Sequence, residues 1–496
     1  MSTATKFFKG SFLLSIASIV VRLSGILVLV PLSRLLGVEQ LGVYSLVFWI
    51  VQSGTVVGRL GVDVAMHRNG AQIYQTDTIA AGRLLGNGSL LMALSFISLS
   101  ASLWIWRFQV ADHWLANKDA VVWLGYASAI LLIEGMSLIA MTGLLSIHQF
   151  KESSFVTSVG AISRLLFSPL LAWKFGIDGA LWGLILASLV QLLTAFNSFW
   201  YSTQYHKIHL SCQGFWKESQ QILKFGLPVW AGSALISLVT LPIMGEVGRI
   251  AGLESLGQLR IAQSLSQIVG FLPSAIAPVA ISLLSETYAL DNKNEDFYRL
   301  RSLHLRGNWL LGLSIITFLS LGCNSLIGIL FGGEYKNATP LVIGMGWLAL
   351  LTIIVENLNL YSLSAGNTIL ISIGSIIQKI AVISFSFWLI PYYEGMGYVL
   401  GLIIGICLQL GIMLGSLWKD LEKILQQQFV ALFIWSSIVF TVTQFSELLV
   451  PRNLLLAGLI TIFSTLVVTS NVISSSERKY LFTRLRNCLK SYERDY

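Results

Sequence analysis

Five basic residues stand where a chain this apolar can least easily place them. Arg22, Arg59, Arg164, Arg260 and Lys379 fall inside long apolar stretches, and so do two acids, Glu134 and Glu356. An ionisable side chain at the centre of a bilayer costs roughly 2.5–3.5 kcal/mol on an insertion scale, so such residues face a polar interior or one another. Basic groups in a low-dielectric surround attract anions strongly. Arginine suits phosphate best, because its planar fork binds two oxygens at once and stays protonated when partly desolvated. The chemistry in view is the holding of an anion, with Arg22, Arg59 and Arg260 as candidates to line a cationic cavity. Blander roles stand beside that one. Arg59 lies four residues before Asp63 and suits a helix-face pair, while Arg260 is near enough to the end of its span to snorkel. Arg164 and Lys379 suit structural bridges to Glu134 and Glu356, acids that burial would also equip to carry a proton. Glu246, at the end of its span, reads as interfacial.

The elements that must position these residues are membrane helices. The chain has 496 residues, of which 55% are hydrophobic and only 11% charged, about half the charge of a soluble domain, with a mean hydropathy of +0.75. Apolar runs of bilayer-crossing length recur from end to end, and continuous runs indicate helices rather than barrel strands. Fourteen spans are expected: 10–33, 41–62, 84–106, 121–146, 153–173, 179–201, 225–246, 256–284, 308–331, 338–364, 368–391, 397–418, 429–449 and 453–473. The first run is too long for a signal-peptide core and is expected to be a retained span. The charges recur by position. Arg22, Arg59 and Arg260 lie in spans 1, 2 and 8, Glu134 and Glu356 in the fourth span of each half, and Arg164 and Lys379 in the fifth.

That recurrence has a sequence counterpart. Arg34-Leu-Leu-Gly37-Val-Glu39-Gln-Leu41-Gly42 returns 215 residues later as Arg249-Ile-Ala-Gly252-Leu-Glu254-Ser-Leu256-Gly257, identical at five of nine positions. Lys9 and Gln52 meet Lys224 and Gln267 at the same offset, and Gly179, Gly183 and Gln191 return as Gly397, Gly401 and Gln409 at offset 218. A repeat of this length suits the halves of a transporter, and six crossings per repeat make the halves parallel. The expected organisation is a six-helix lobe over 1–201, a linker at 202–224, a second lobe over 225–418, two further helices within 419–473 and a basic tail at 474–496.

Of the 32 basic residues, twenty fall in segments on the side of the N-terminus, seven on the other side and five within spans, so both termini are expected in the cytoplasm. Loops are short, with no room for an outside domain, and Asp-x-Asp, a Walker A loop and His-Glu-x-x-His are absent. This counts against glycosyltransferases, polysaccharide polymerases and ATP-driven pumping by the chain itself. Four cysteines, at 212, 323, 407 and 488, show no paired or metal-ligand spacing,. Pro242, Pro273 and Pro278 are expected to interrupt the helix ladder and allow bends. In the tail, Leu481, Leu485, Leu489 and Tyr492 among six basic residues fit either an amphipathic helix on an anionic leaflet or a solvated, topology-setting tail,.

Val21-Arg22-Leu23-Ser24-Gly25, Arg34-Leu35-Leu36-Gly37, Leu41-Gly42-Val43-Tyr44-Ser45-Leu46 and Leu60-Gly61-Val62-Asp63 resemble the opening of the bacterial polysaccharide transporter (Wzx-like) family. That family belongs to a superfamily with multidrug extruders and the lipid II flippase. The resemblance implies a flippase of undecaprenyl-diphosphate-linked oligosaccharide in the bacterial inner membrane, with a basic cavity lined by spans 1, 2, 7 and 8. Arg22 is carried over by local motif, Arg59 and Arg260 by span alone. No cofactor or nucleic acid is implied. Membrane lipids, and a polysaccharide polymerase and ligase, are the expected partners. A multidrug or lipid II exporter of the same fold is the alternative, and a ligase- or polymerase-type membrane enzyme a more distant one. Span 1 carries an arginine and no acid to bind a coupling cation, which counts against drug export.

Overall fold

In lipid an apolar run can satisfy its backbone only by bonding to itself as helix. The computed structural model is helical almost throughout, with no strand among the described residues. These are 3–74, 76–114, 118–290, 295–364 and 368–417, together with 430, 432–441, 461–462 and 465. In order they form α1 (Thr3–Gly58), α2 (Val62–Ile73), α3 (Thr78–Gln109), α4 (Ala120–Ser146), α5 (Phe150–Tyr205), α6 (Phe215–Leu290), α7 (Glu295–Leu330), α8 (Thr339–Ser364) and α9 (Thr368–Leu417). A π-turn at Val110–Trp114 and a 3₁₀ turn at Gly333–Ala338 complete the set. Seven helices among the described residues are long and apolar enough to cross a membrane. The expected spans 13 and 14 and the basic tail lie outside the described residues, apart from short pieces.

Where the sequence suggests loops, four helices instead hold two spans each, broken at one residue. The break in α1 is Gly37 (φ 74°, ψ 179°) and that in α6 is Gly252 (φ 78°, ψ 173°). These are the aligned glycines of the repeated motif, in one backbone conformation that a side chain would strain. The breaks in α5 and α9 match as well: Gly176 (φ 59°, ψ −137°) and Glu394 (φ 53°, ψ −132°), 218 residues apart. The duplication is therefore written in dihedral angles. The prolines do not mark the break. α6 stays helical through Pro242, Pro273 and Pro278, and its non-helical residue is Gly252. A proline's freed carbonyl can be re-satisfied locally within a membrane helix, whereas a positive φ cannot be accommodated by helix at all.

The chain forms two compact units. The first comprises Met1–Ser264, Leu330–Ala338 and Ile383–Gly401, with Met66, Leu85, Met92, Phe96, Leu144 and Phe199 in its core. Within it the arms of α5 lie face to face, so a Cβ at Gly179 would strike the Leu171 carbonyl and one at Gly183 would come 2.7 Å from that of Phe167. The segment after α5 is bound down along α3: Ser211 N–H donates to the Gly82 carbonyl at 3.1 Å, and Asn87 Nδ2 donates to that of Gln213 at 3.1 Å. The second unit, Leu265–Ile329, Thr339–Val382 and Leu402–Tyr496, centres on Trp309, Ile316, Leu350, Ile354 and Met413. There Trp309 Nε1 donates to Ser436 Oγ at 3.0 Å, and Asn308 Nδ2 to Asn357 Oδ1 at 3.2 Å.

Candidate functional site

The second arm of α1 and the start of the second arm of α6, both in the first unit, run side by side. Their closest approach is at Gly42 and Gly257, the last residues of the two motif copies. A Cβ at Gly42 would strike the Leu253 carbonyl, and a Cβ at Gly257 would strike that of Val38. The contact is reciprocal, since Val38 and Leu253 are themselves equivalent in the repeat. One turn further along, the Arg260 guanidinium lies over the Phe48 ring, 3.8 Å from its centroid. Next, Trp49 Nε1 donates to Gln263 Oε1 at 3.0 Å. Small residues let the backbones approach, and the larger side chains beyond them interlock.

Arg260 is 8% exposed, so it does not snorkel. Its Nε finds no hydrogen-bond acceptor among the described residues. Beside it Tyr44, almost fully buried, lies within electrostatic reach of Arg260, Arg164 and Glu134. Arg164 Nη2 bonds Glu134 Oε1 at 2.7 Å, and Ser188 Oγ donates to the same oxygen at 3.3 Å. One carboxylate thus stands against two guanidiniums that feel each other. The surplus positive charge, in a low-dielectric surround, is an attractive position for an anion. The pairing of Glu134 with Arg164 engages that acid in structure.

The other candidates lie elsewhere along the chain. Arg22 is exposed on the first arm of α1. Arg59 pairs with Asp63 at 3.5 Å, but not along one helix face, because Leu60 (φ 51°) and Gly61 (φ 73°) turn the chain between them. That end of α1 is gripped by the first arm of α6. A Cβ at Gly61 would strike the Gly226 carbonyl and the reverse, and Trp230 Nε1 is shared between the Val56 and Val57 carbonyls at 3.0 and 3.2 Å. His67 follows on α2, where burial holds its imidazole below its ordinary pKa. Glu246 holds Arg249 through two bonds, Nε–Oε2 at 3.0 Å and Nη2–Oε1 at 2.6 Å. In the second unit Glu356 is exposed on α8 and Lys379 half-buried on α9. Sequence reasoning overlooked Tyr44, Phe48 and Ser188. Tyr44 and Phe48 are four residues apart, just past Gly42, and an aromatic pair on the face of a glycine crossing was the available signal.

No curated protein sequence matches the chain. Solved structures do. The lipid II flippase MurJ in an inward closed conformation aligns with a TM-score of 0.74 at 16% identity, over 92% of this chain and 98% of that one. An inward-facing multidrug resistance MATE transporter of the MOP superfamily aligns at 0.65 and 16% identity, over 83% and 94%. A MOP superfamily transporter from Pyrococcus furiosus, described by a reversed polarity of its binding pocket, aligns at 0.58 and 13% identity, over 88% and 96%. The fold is the one these transporters share. Residues 7–287 match the profile of the family described as polysaccharide biosynthesis protein, and as this is more than half of its length, the chain belongs to that family.

Proposed function

We propose that this chain is a flippase that carries an undecaprenyl-diphosphate-linked oligosaccharide across the bacterial inner membrane by alternating access. The observation that carries the reading is the buried Arg260, within electrostatic reach of an Arg164–Glu134 pair, a group with one positive charge in surplus. A diphosphate cannot enter hydrocarbon unless its charge is met. Arg260, with Arg22 and Arg59 toward the other end of the first unit's spans, would meet it, while the sugars stay in water and the polyprenyl chain in lipid. Membership of a polysaccharide biosynthesis family and the fold of the lipid II flippase support a lipid-linked substrate. Folded protein in vesicles should flip a labelled diphosphate-linked glycolipid, with Arg22→Ala, Arg59→Ala and Arg260→Ala each slowing transport at least tenfold. Lipid II serves as the competing cargo. Wild-type rates in all three variants would sink the cationic site, and preference for lipid II would make this a lipid II exporter.

On the same reading the lobes are 1–201 and 225–418, and the linker, tail and both termini face the cytoplasm. Cys212, exposed in the linker, is the natural reporter. In intact cells an impermeant thiol reagent should label wild type no more than Cys212→Ser, and a difference between them would reverse the orientation.

A further inference from the structure

In this structure Arg260 offers little surface to a ligand. The residue is 8% exposed, and its guanidinium is covered on one face by Phe48. Its in-plane donors are not what blocks a phosphate, since stacking occupies only the face of the fork and Nε has no acceptor among the described residues. Burial blocks it. Because Phe48 is on α1 and Arg260 on α6, moving the two arms apart lifts the guanidinium off the ring and uncovers it. Gly257, one turn before Arg260, is where that arm presses on the Val38 carbonyl. Uncovering Arg260 and opening the Gly42–Gly257 crossing are therefore one movement.

We infer that Phe48 is a positioning residue that latches the crossing. Its ring holds the Arg260 face while the carrier is empty and so keeps the crossing shut, and a diphosphate, which reaches the in-plane donors once the crossing opens, holds the open form. The inference rests on the reading of Arg260 as a diphosphate ligand. Two features make the closed arrangement poised rather than locked. The unsatisfied Nε gains a partner on leaving, and the like charge of Arg164 within electrostatic reach opposes burial of a second guanidinium,. Against these stand the stack and the packed crossing. A cation over an aromatic ring is attracted by the ring quadrupole, more so when desolvated. A substrate that binds only the open form then pulls the equilibrium toward it, and its apparent affinity is reduced by the fraction of carriers already open. Such a latch prevents an empty carrier from opening at this end.

The test uses full-length protein in nanodiscs titrated with undecaprenyl diphosphate. Removing the ring while keeping apolar bulk, as Phe48→Leu and separately Phe48→Met, should tighten apparent binding roughly threefold to thirtyfold, the span expected for a desolvated cation–π contact. Phe48→Tyr should stay within about twofold of wild type, because its ring also stacks. In a chain whose four cysteines are replaced by serine, a probe cysteine introduced as Val38→Cys should react faster with a thiol reagent when Phe48→Leu is added, with no ligand present. Arg260→Ala should weaken binding at least tenfold. If Arg260→Ala binds as wild type does, the diphosphate-site reading fails and the latch with it. If Arg260→Ala weakens binding while Phe48→Leu and Phe48→Met leave both affinity and Val38→Cys reactivity unchanged, the site stands and the latch is overturned.

Discussion

Arg34 and Arg249 hold the same place in two copies of one turn, followed by glycines of the same conformation, yet they do different things. Arg34 Nε donates to the Leu330 carbonyl at 3.2 Å, at the start of a segment whose Tyr335 hydroxyl donates to the Ser33 carbonyl at 3.2 Å. Arg249 is taken by Glu246 on its own helix. The sequence explains the difference, for the position equivalent to Glu246 in the first copy is Pro31, which offers no carboxylate. One turn thus docks a distant loop and the other closes on itself. The repeat fixes backbone geometry, whereas single substitutions decide what each copy grips.

The largest effect should come from the first half's pair. Glu134→Gln leaves a half-buried Arg164 without its countercharge and should cost about 1.5–3 kcal/mol, seen as a lower unfolding midpoint in detergent. The double variant Glu134→Gln/Arg164→Met should recover most of that loss.

The reciprocal crossing comes next. Gly42→Val and Gly257→Val should each cost about 1–3 kcal/mol by overpacking, and by similar amounts. A marked inequality in thermal unfolding would show that the two sides are not equivalent. At the second pair of breaks the halves differ in residue rather than backbone. Glu394 sits where its counterpart is glycine, in a region that strains a side chain, so Glu394→Gly should stabilise the protein by about 1 kcal/mol. Gly176→Ala should destabilise it by a similar amount. The smallest effect separates the arginines. Arg34→Ala should speed amide exchange across 330–338, and Arg249→Ala should leave that segment unchanged.

Much of the fold was legible because a bilayer leaves few choices. Apolar length gave the helices, and the Arg34–Gly42 and Arg249–Gly257 echo gave a duplication that the backbone repeats. The turns were misjudged as loops because hydropathy cannot tell a short loop from one residue at positive φ. The glycine inside the motif carried that information. The site was legible in its charges and not in its partners. Arg260 stands out in any apolar window, but its burial under Phe48 depends on a contact more than two hundred residues away in sequence. The prolines did not mark the break because a ring that breaks soluble helices need not break a membrane helix.

The crossing of Gly42 with Gly257 has a consequence for how such a chain arises. Each glycine packs on the carbonyl four residues before its twin, so residue i touches j as j touches i. That is the signature of an isologous interface, the kind two identical subunits make about a two-fold axis. A half-length ancestor holding a single copy of the motif would have carried both surfaces of this contact at once and could have paired with itself. Fusing two such genes would then have freed each copy to change alone, and Pro31 facing Glu246 is one trace of that freedom.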